Sequence, residues 1–177
     1  TYTEVNQNSQ RMATQRFRAR VPGVDYTSAV VAWSDQGALR RLSVTDPDDS
    51  GNVLTDLYFT AEGDLVFALR TTQGFKPNGA LEVRNEHRLY FQQGRLVHML
   101  AGLSKTTLPP GDGLAQAEAA TTLAIAQAMR TAALAPAITI WPGALRLAAS
   151  TTSPCAASAH AACTASGSSP ITTSLRI

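Results

Sequence analysis

The sequence predicts an α+β fold, mainly β, in which an antiparallel β-meander of three hairpins packs on one C-terminal helix. Short segments rich in β-branched, aromatic and aliphatic residues alternate with turn residues between Thr14 and Gly102. A glycine-centred motif occurs three times in that region, and an alanine-rich segment at 113–134 favours helix. Three hairpins in series give about six or seven strands.

The chain divides into three parts by composition. Residues 1–27 form an N-terminal lead-in, in which "RMATQRFRAR" is either an earlier strand or a helix, and residues 28–134 form the β-meander domain. After Leu134 the only charged residues are Arg146 and Arg176, and Ala, Ser, Thr and Pro dominate. Because such a segment buries too little apolar surface to offset its ordering entropy, 135–177 is predicted to be a disordered low-complexity tail.

The repeated motif has an aromatic residue four positions before a glycine and a leucine two positions after it. Its three copies are Trp33–Gly37–Leu39, Phe59–Gly63–Leu65 and Tyr90–Gly94–Leu96. A three-residue hairpin loop places its last residue at positive φ, where glycine is favoured. Each copy is therefore predicted to be a hairpin with a three-residue loop, in which the aromatic residue faces the leucine across the two strands.

The helix at 113–134 begins after the breaker "PPG", with Asp112 as the predicted N-cap. Residues at three- and four-residue steps predict a narrow stripe that packs on the sheet: Leu114, Ala117, Thr121, Ile125, Ala128 and Ala132.

Charge and hydropathy exclude two classes of partner. The net charge is +2, from 15 basic and 13 acidic residues, and no basic stripe is evident, so no nucleic-acid partner is expected. No run of 18 apolar residues is present, so no membrane span is expected. The two cysteines, Cys155 and Cys163, do not have zinc-ligand spacing, and no metal or cofactor is predicted.

The third hairpin carries the most suggestive polar residues. In "LEVRNEHRLYF" one face is apolar except for Asn85 and His87, and the other face is a ladder of alternating charges. Buried Asn and His side chains need partners. Three interpretations remain open: the two side chains satisfy each other and the backbone, they mark a bulge, or they line a pocket.

The relation of His87 to His98 depends on the register of this hairpin. A three-residue loop, which the repeat favours, pairs Phe91 with Arg95 and points the two histidines to opposite faces. A two-residue loop pairs Phe91 with Leu96 and makes the histidines diagonal neighbours on one face. Only the second register allows a local metal or acid–base site.

Aromatic residues concentrate in the hairpins, where a row of rings is a stacking platform for sugars or peptides. The candidate ligand-binding residues are Tyr58, Asn85, His87, Tyr90 and His98. No catalytic residue is assigned, because the nucleophile, phosphate-loop, dinucleotide and zinc-protease motifs are missing.

The third hairpin resembles a family of small exported bacterial proteins. Their tyrosine-rich hairpins follow the pattern "YYF-x-x-G-K-L", to which "LYFTAEGDLVFAL" and "NEHRLYFQQGRLVHML" are similar, and the likeness covers roughly residues 28–134. Many members are periplasmic proteins or lipoproteins. The resemblance therefore implies an extracytoplasmic location, leaves room for a lipid anchor upstream of Thr1, and implies no particular reaction.

These observations lead to three functional hypotheses. The first is a non-catalytic extracytoplasmic binding or interaction module for a protein, peptide or glycan, with its binding surface on a concave face near Tyr58, Tyr90 and the His87 region. The second is a hydrolase or metal-dependent enzyme that uses His87 and His98. The third is a structural component of the cell envelope.

Overall fold

The computed structural model describes residues 2–48 and 50–135 of the chain. Apart from Ala135, the predicted tail lies outside these residues, as do both cysteines. The elements in chain order are α1 Tyr2–Asn8, a 3-10 turn Ser9–Arg11, β1 Ala13–Ala19, β2 Ser28–Asp35, β3 Ala38–Asp48, β4 Gly51–Phe59, β5 Leu65–Phe75, β6 Leu81–Gln92, β7 Arg95–Ala101, β8 Thr106–Leu108 and α2 Gly113–Leu134. No helix in the described part of the chain has the length and apolar character needed to cross a membrane.

The strands form one antiparallel sheet in which every strand pairs with its neighbours in sequence, in the order β1 to β8. The predicted α+β, mainly β fold is confirmed. The sheet has eight strands rather than six or seven, because β1 lies within the predicted lead-in at 1–27 and β8 follows the third hairpin. The segment "RMATQRFRAR" therefore contributes a strand, which was one of its two predicted alternatives.

The inner face of the sheet, defined as the face that packs on α2, holds the main core. One row of directly paired apolar residues crosses seven strands: Ala32, Leu42, Leu57, Ala68, Leu89, Met99 and Leu108. Most of these side chains are buried together with Ala115, Ile125 and Met129 of α2. Removal of this apolar surface from water stabilises the sheet–helix pair.

Helix α2 begins as predicted, since the Asp112 carboxylate accepts hydrogen bonds from the backbone N–H groups of Leu114 and Ala115 at 2.9 and 3.2 Å. The predicted packing stripe is right at Ile125, which is buried, and wrong at Leu114, Ala117 and Thr121, which are exposed. The buried residues are Ala115, Ala119, Thr122, Ile125, Ala126 and Met129, and Leu114 is 48% exposed. Alanine on several faces of the helix makes the side that packs difficult to distinguish by hydrophobic period.

The three hairpins do not share one turn. In the middle copy, Thr60 and Asp64 enclose the predicted three-residue loop, Gly63 has φ +92°, and Phe59 pairs with Leu65. The first and third copies instead have two-residue turns, in which both residues have positive φ: Gln36 and Gly37, then Gln93 and Gly94. The predicted three-residue loops of those two copies are therefore wrong.

The shorter turns change which residue faces the leucine. Ser34, not Trp33, pairs with Leu39, and Phe91, not Tyr90, pairs with Leu96. The aromatic–leucine pair is thus confirmed only in the middle hairpin. The other two hairpins are shifted by one position because their loops are one residue shorter.

Candidate functional site

A row of paired side chains crosses six strands on the outer face, which is the face opposite α2. The row, called the aromatic row below, consists of Trp33, Arg41, Tyr58, Phe67, Tyr90 and His98, and each member is the register partner of the next. Directly paired residues of adjacent strands have their Cβ atoms about 4.5–5.5 Å apart. Their side chains therefore meet along the whole row.

Three β-bulges create this row. Each hairpin has a register shift just beyond its leucine, which adds one residue to the second strand. In the middle hairpin the extra residue is Val66, so that Tyr58 pairs with Phe67. In the third it is Val97, so that Tyr90 pairs with His98.

Ring contacts are continuous along the aromatic row. The Arg41 guanidinium lies 4.6 Å from the ring centroid of Trp33 and 5.4 Å from that of Tyr58. Ring centroids are 5.6 Å apart for Tyr58 and Phe67, 5.1 Å for Phe67 and Tyr90, and 5.5 Å for Tyr90 and His98. These separations are in the range of favourable cation–π and tilted aromatic pairs.

Helix α1 covers one half of the aromatic row. The Tyr2 ring lies 5.0 Å from the Tyr58 ring and 5.2 Å from the Phe67 ring, and Val5 and Met12 complete a second, smaller core around Tyr58. Tyr58 is only 1% exposed. Its burial raises the pKa of its phenol, although the Arg41 cation and a hydrogen bond donated to Asn6 oppose that effect.

The other half of the row remains open and lines a groove. This groove has a volume of about 470 Å³ and is bounded by Tyr2, Val66, Phe67, Leu69, Arg88 and Tyr90. The Arg88 guanidinium forms an ion pair with Glu86 at 2.7 Å. The walls are therefore mostly apolar, with one cation held in place beside the rings.

The structure divides the five predicted site residues between three environments. Tyr90 and His98 lie on the open half of the outer row, whereas Tyr58 lies in the same row but beneath α1. Asn85 and His87 lie on the inner face, next to α2. The prediction that Tyr58, Tyr90 and the His87 region share one concave surface is wrong, because successive residues of a strand point to opposite faces.

On the inner face, His87 belongs to a polar cluster that joins the sheet to α2. Its Nδ1 atom lies 3.5 Å from Glu118 Oε2, which also accepts a 2.8 Å bond from Arg70 Nη1. The Asn85 Nδ2 atom lies 3.0 Å from the His87 Nε2 atom. The first interpretation is confirmed, since Asn85 bonds to His87 and accepts from the backbone N–H of Glu86. The second also holds for Asn85, because a register shift between β5 and β6 lies directly beside it.

The register of the third hairpin differs from both predicted alternatives. Phe91 pairs with Leu96 across a two-residue turn, but the bulge at Val97 then brings His98 opposite Tyr90. The two histidines therefore point to opposite faces despite the shorter turn. The local site that would combine His87 and His98 is not assembled, and residues 2–48 and 50–135 hold no group of three His, Cys, Asp or Glu side chains arranged for a metal ion.

Of the six residues that line the groove, sequence reasoning assigned only Tyr90 to the site and missed Tyr2, Val66, Phe67, Leu69 and Arg88. Phe67 was noted as one of the hairpin aromatics but not assigned to the site. Its position opposite Tyr90 depends on the bulge, for which the motif spacing gave no signal. Tyr2 lies in the segment treated as a lead-in, and only the tertiary structure brings it to the sheet.

Comparisons of the chain with family models, curated proteins and solved structures found no significant match. The functional class of the protein is therefore inferred from its own geometry.

Proposed function

We propose that the protein is a non-catalytic binding module whose ligand enters the groove beside the open half of the aromatic row. The observation that carries this proposal is the row itself. Six strands contribute to an ordered line of side chains, yet α1 covers only one part and leaves Phe67 and Tyr90 partly exposed at a groove of about 470 Å³. A hydrophobic core alone does not account for rings that remain open to solvent.

The groove favours an apolar or aromatic side chain, presented by a peptide or protein, over a sugar. Its lining contains three rings, two aliphatic side chains and one arginine. A pyranose needs several precisely placed hydrogen-bonding groups in addition to a ring on which to stack. Arg88, which is already paired with Glu86, and the tyrosine hydroxyls offer too few such groups.

Binding rather than catalysis is supported by the same lining. The six residues that bound the groove include no Ser, Cys, His, Asp or Glu side chain. Nucleophilic catalysis requires a nucleophile and a base within hydrogen-bond reach of each other. An extracytoplasmic location is part of this proposal and rests on the likeness of the third hairpin to exported proteins, and fractionation of cells that express the full-length gene product tests it.

The experiment is an NMR titration of the ¹⁵N-labelled protein with two probes, a short peptide that carries one central tryptophan and the sugar cellotetraose. We expect the peptide to shift the backbone resonances of Val66, Phe67 and Tyr90. Replacing one stacking ring by Tyr90→Ala should raise the Kd about tenfold, which corresponds to about 1.4 kcal/mol. Phe75→Ala is the matched control, since Phe75 is 48% exposed at the far end of β5.

Three outcomes would contradict the proposal. Resonance shifts confined to the inner face near His87 would place the ligand elsewhere. Equal loss of affinity in Tyr90→Ala and Phe75→Ala would show general hydrophobic adhesion. Binding of cellotetraose without binding of the peptide would show that the ligand is a glycan and not a peptide side chain.

A further inference from the structure

Strand β1 is an open edge of the sheet. Ala13–Ala19 pairs with β2 on one side only, and its burial pattern is mostly exposed. Within residues 2–48 and 50–135, no backbone hydrogen bond joins the other side of β1 to the rest of the protein. The unpaired N–H and C=O groups of such an edge are a template for an additional strand.

Two arginines, which have no ion-pair partner in the described part of the chain, lie on the outer face of this edge. Arg16 and Arg18 alternate with Phe17 and Ala19, which pack towards the main core. Arg20 follows directly after the strand and is also exposed. The described part of the chain contains no ion-pair partner for any of these three arginines.

On the interior strands, by contrast, several arginines have ion-pair partners. Arg41 binds Asp56 at 2.8 Å, Arg70 binds Glu118 at 2.8 Å and Arg88 binds Glu86 at 2.7 Å. Among the described residues, Arg95 at the start of β7 is the one interior-strand arginine without an ion-pair partner, whereas on β1 both Arg16 and Arg18 lack one. Their spacing of two residues, about 6.6–6.8 Å, is the repeat that an added strand presents on one face.

The residues at the β1 edge also disfavour two other possible partners, a second copy of the protein and a single-stranded nucleic acid. Antiparallel pairing of β1 with β1 of a second copy, centred on Phe17, would place Arg16 against Arg18, and directly opposed like charges destabilise a sheet. A single-stranded nucleic acid would need rings on which its bases stack. The β2 residues directly paired with Arg16 and Arg18 are Val31 and Ala29, which offer none, and the nearby Trp33 ring is already in contact with the Arg41 guanidinium.

We propose that the β1 edge accepts an extended acidic peptide segment as a ninth strand. Its backbone pairs with β1, and carboxylates at alternate positions lie opposite Arg16 and Arg18. This is strand addition, in which main-chain hydrogen bonds give affinity and alternate side chains give specificity. The edge is four strands away from β5, which corresponds to about 19 Å, so the surface is separate from the aromatic groove.

The test measures fluorescence anisotropy of labelled peptides with the intact protein. The acidic probe is TETETET and the basic control is TKTKTKT, each at about 50 and 300 mM salt, because screening weakens exposed charge pairs. A third probe has the acidic sequence with alternate backbone amides N-methylated, which removes ladder donors and keeps the charge. Labelled oligothymidine is the fourth probe.

We expect the protein to bind only the unmethylated acidic probe, with an affinity that falls as salt rises. Arg16→Ser/Arg18→Ser should weaken this binding about tenfold, or about 1.4 kcal/mol. Arg16→Glu/Arg18→Glu should reverse the preference towards the basic probe. Both variants change exposed side chains, and the reversed preference of the second is a gain of binding that misfolding cannot mimic.

Several results would overturn the proposal. Equal binding of the N-methylated probe would show charge attraction without strand pairing. Equal binding of oligothymidine would identify a general anion surface. If neither acidic probe binds, while Arg16→Ser/Arg18→Ser self-associates in sedimentation velocity, the arginines serve only to keep this edge unpaired.

Discussion

Thr55→Val should make the protein more stable, because the hydroxyl of Thr55 is buried without a partner. Thr55 lies on the inner face of β4, between Val44 and Arg70 in the register, and is fully buried. Its Oγ1 atom has no hydrogen bond to any described residue. Valine has nearly the same shape, has one methyl group in place of the hydroxyl, and is equally compatible with a β-strand.

The magnitude follows from two terms of the same sign. A buried polar group without a partner costs about 1–3 kcal/mol of folding free energy. The added methyl group buries apolar surface worth up to about 0.8 kcal/mol, reduced by imperfect packing at a site shaped for oxygen. The free energy of unfolding of Thr55→Val should therefore exceed that of the wild type by about 1–4 kcal/mol.

Urea unfolding, followed by far-UV circular dichroism, measures this difference as a higher midpoint at constant slope. Ser28→Ala is the matched control of opposite sign, since the buried Ser28 hydroxyl donates to the carboxylate of Asp46. Loss of the Ser28 hydroxyl removes a hydrogen-bond donor from the Asp46 carboxylate and should lower the free energy of unfolding by about 1–3 kcal/mol. A Thr55→Val protein that is less stable than the wild type would refute the reasoning, because its hydroxyl would then have a partner.

Two further predictions concern a turn and a titrating group. In urea unfolding, Gly63→Ala should destabilise the protein by about 1–2 kcal/mol more than Gly37→Ala. Both glycines have positive φ, but only at Gly63 would a Cβ meet the Arg130 guanidinium. That guanidinium donates to the Gly63 carbonyl at 2.7 Å, and the added Cβ would displace it. Equal losses of stability in the two variants would show that backbone strain alone accounts for the effect. The pKa of the Tyr58 phenol is raised in the folded protein, so the unfolded chain loses the phenol proton first as pH rises. The stability that Tyr58 contributes is therefore complete below pH 10.0 and is lost as pH rises through the folded pKa, and Tyr58→Phe should make this decline less steep. Parallel pH profiles of stability for the wild type and Tyr58→Phe would contradict this prediction.

Elements whose signal is local could be predicted from the sequence. Strand composition, turn glycines and the Asp112 cap give the meander and the α2 boundaries, because each reflects the conformational preference of a few adjacent residues. Of the predicted packing stripe of α2, Ile125 alone is among the buried residues, because the face of a helix that packs is not fixed by local preference. The choice between Ala115 and Ala117 depends on the sheet beneath the helix, and two alanines give the same local signal.

The candidate site was harder to predict, because its residues are brought together by register. A two-residue turn and a three-residue turn both suit a glycine, yet they differ by one position in every pair that follows. The structure places His87 and His98 on opposite faces only after a turn and a bulge have both been fixed. The charge on β1 was visible as "RFRAR", but the lack of an ion-pair partner for it within residues 2–48 and 50–135 is a tertiary fact.

The repeated hairpin serves both faces of the sheet at once. On the inner face, Leu39, Leu65 and Leu96 pack in or against the core. The residue added after each leucine then shifts the pairing on the outer face. In a ladder without these bulges, Arg40, Val66 and Val97 would stand opposite Trp33, Tyr58 and Tyr90. The bulges instead place Arg41, Phe67 and His98 at those positions. Since bulges re-aim side chains without altering the fold, the motif that closes the core is also the one that builds the aromatic row.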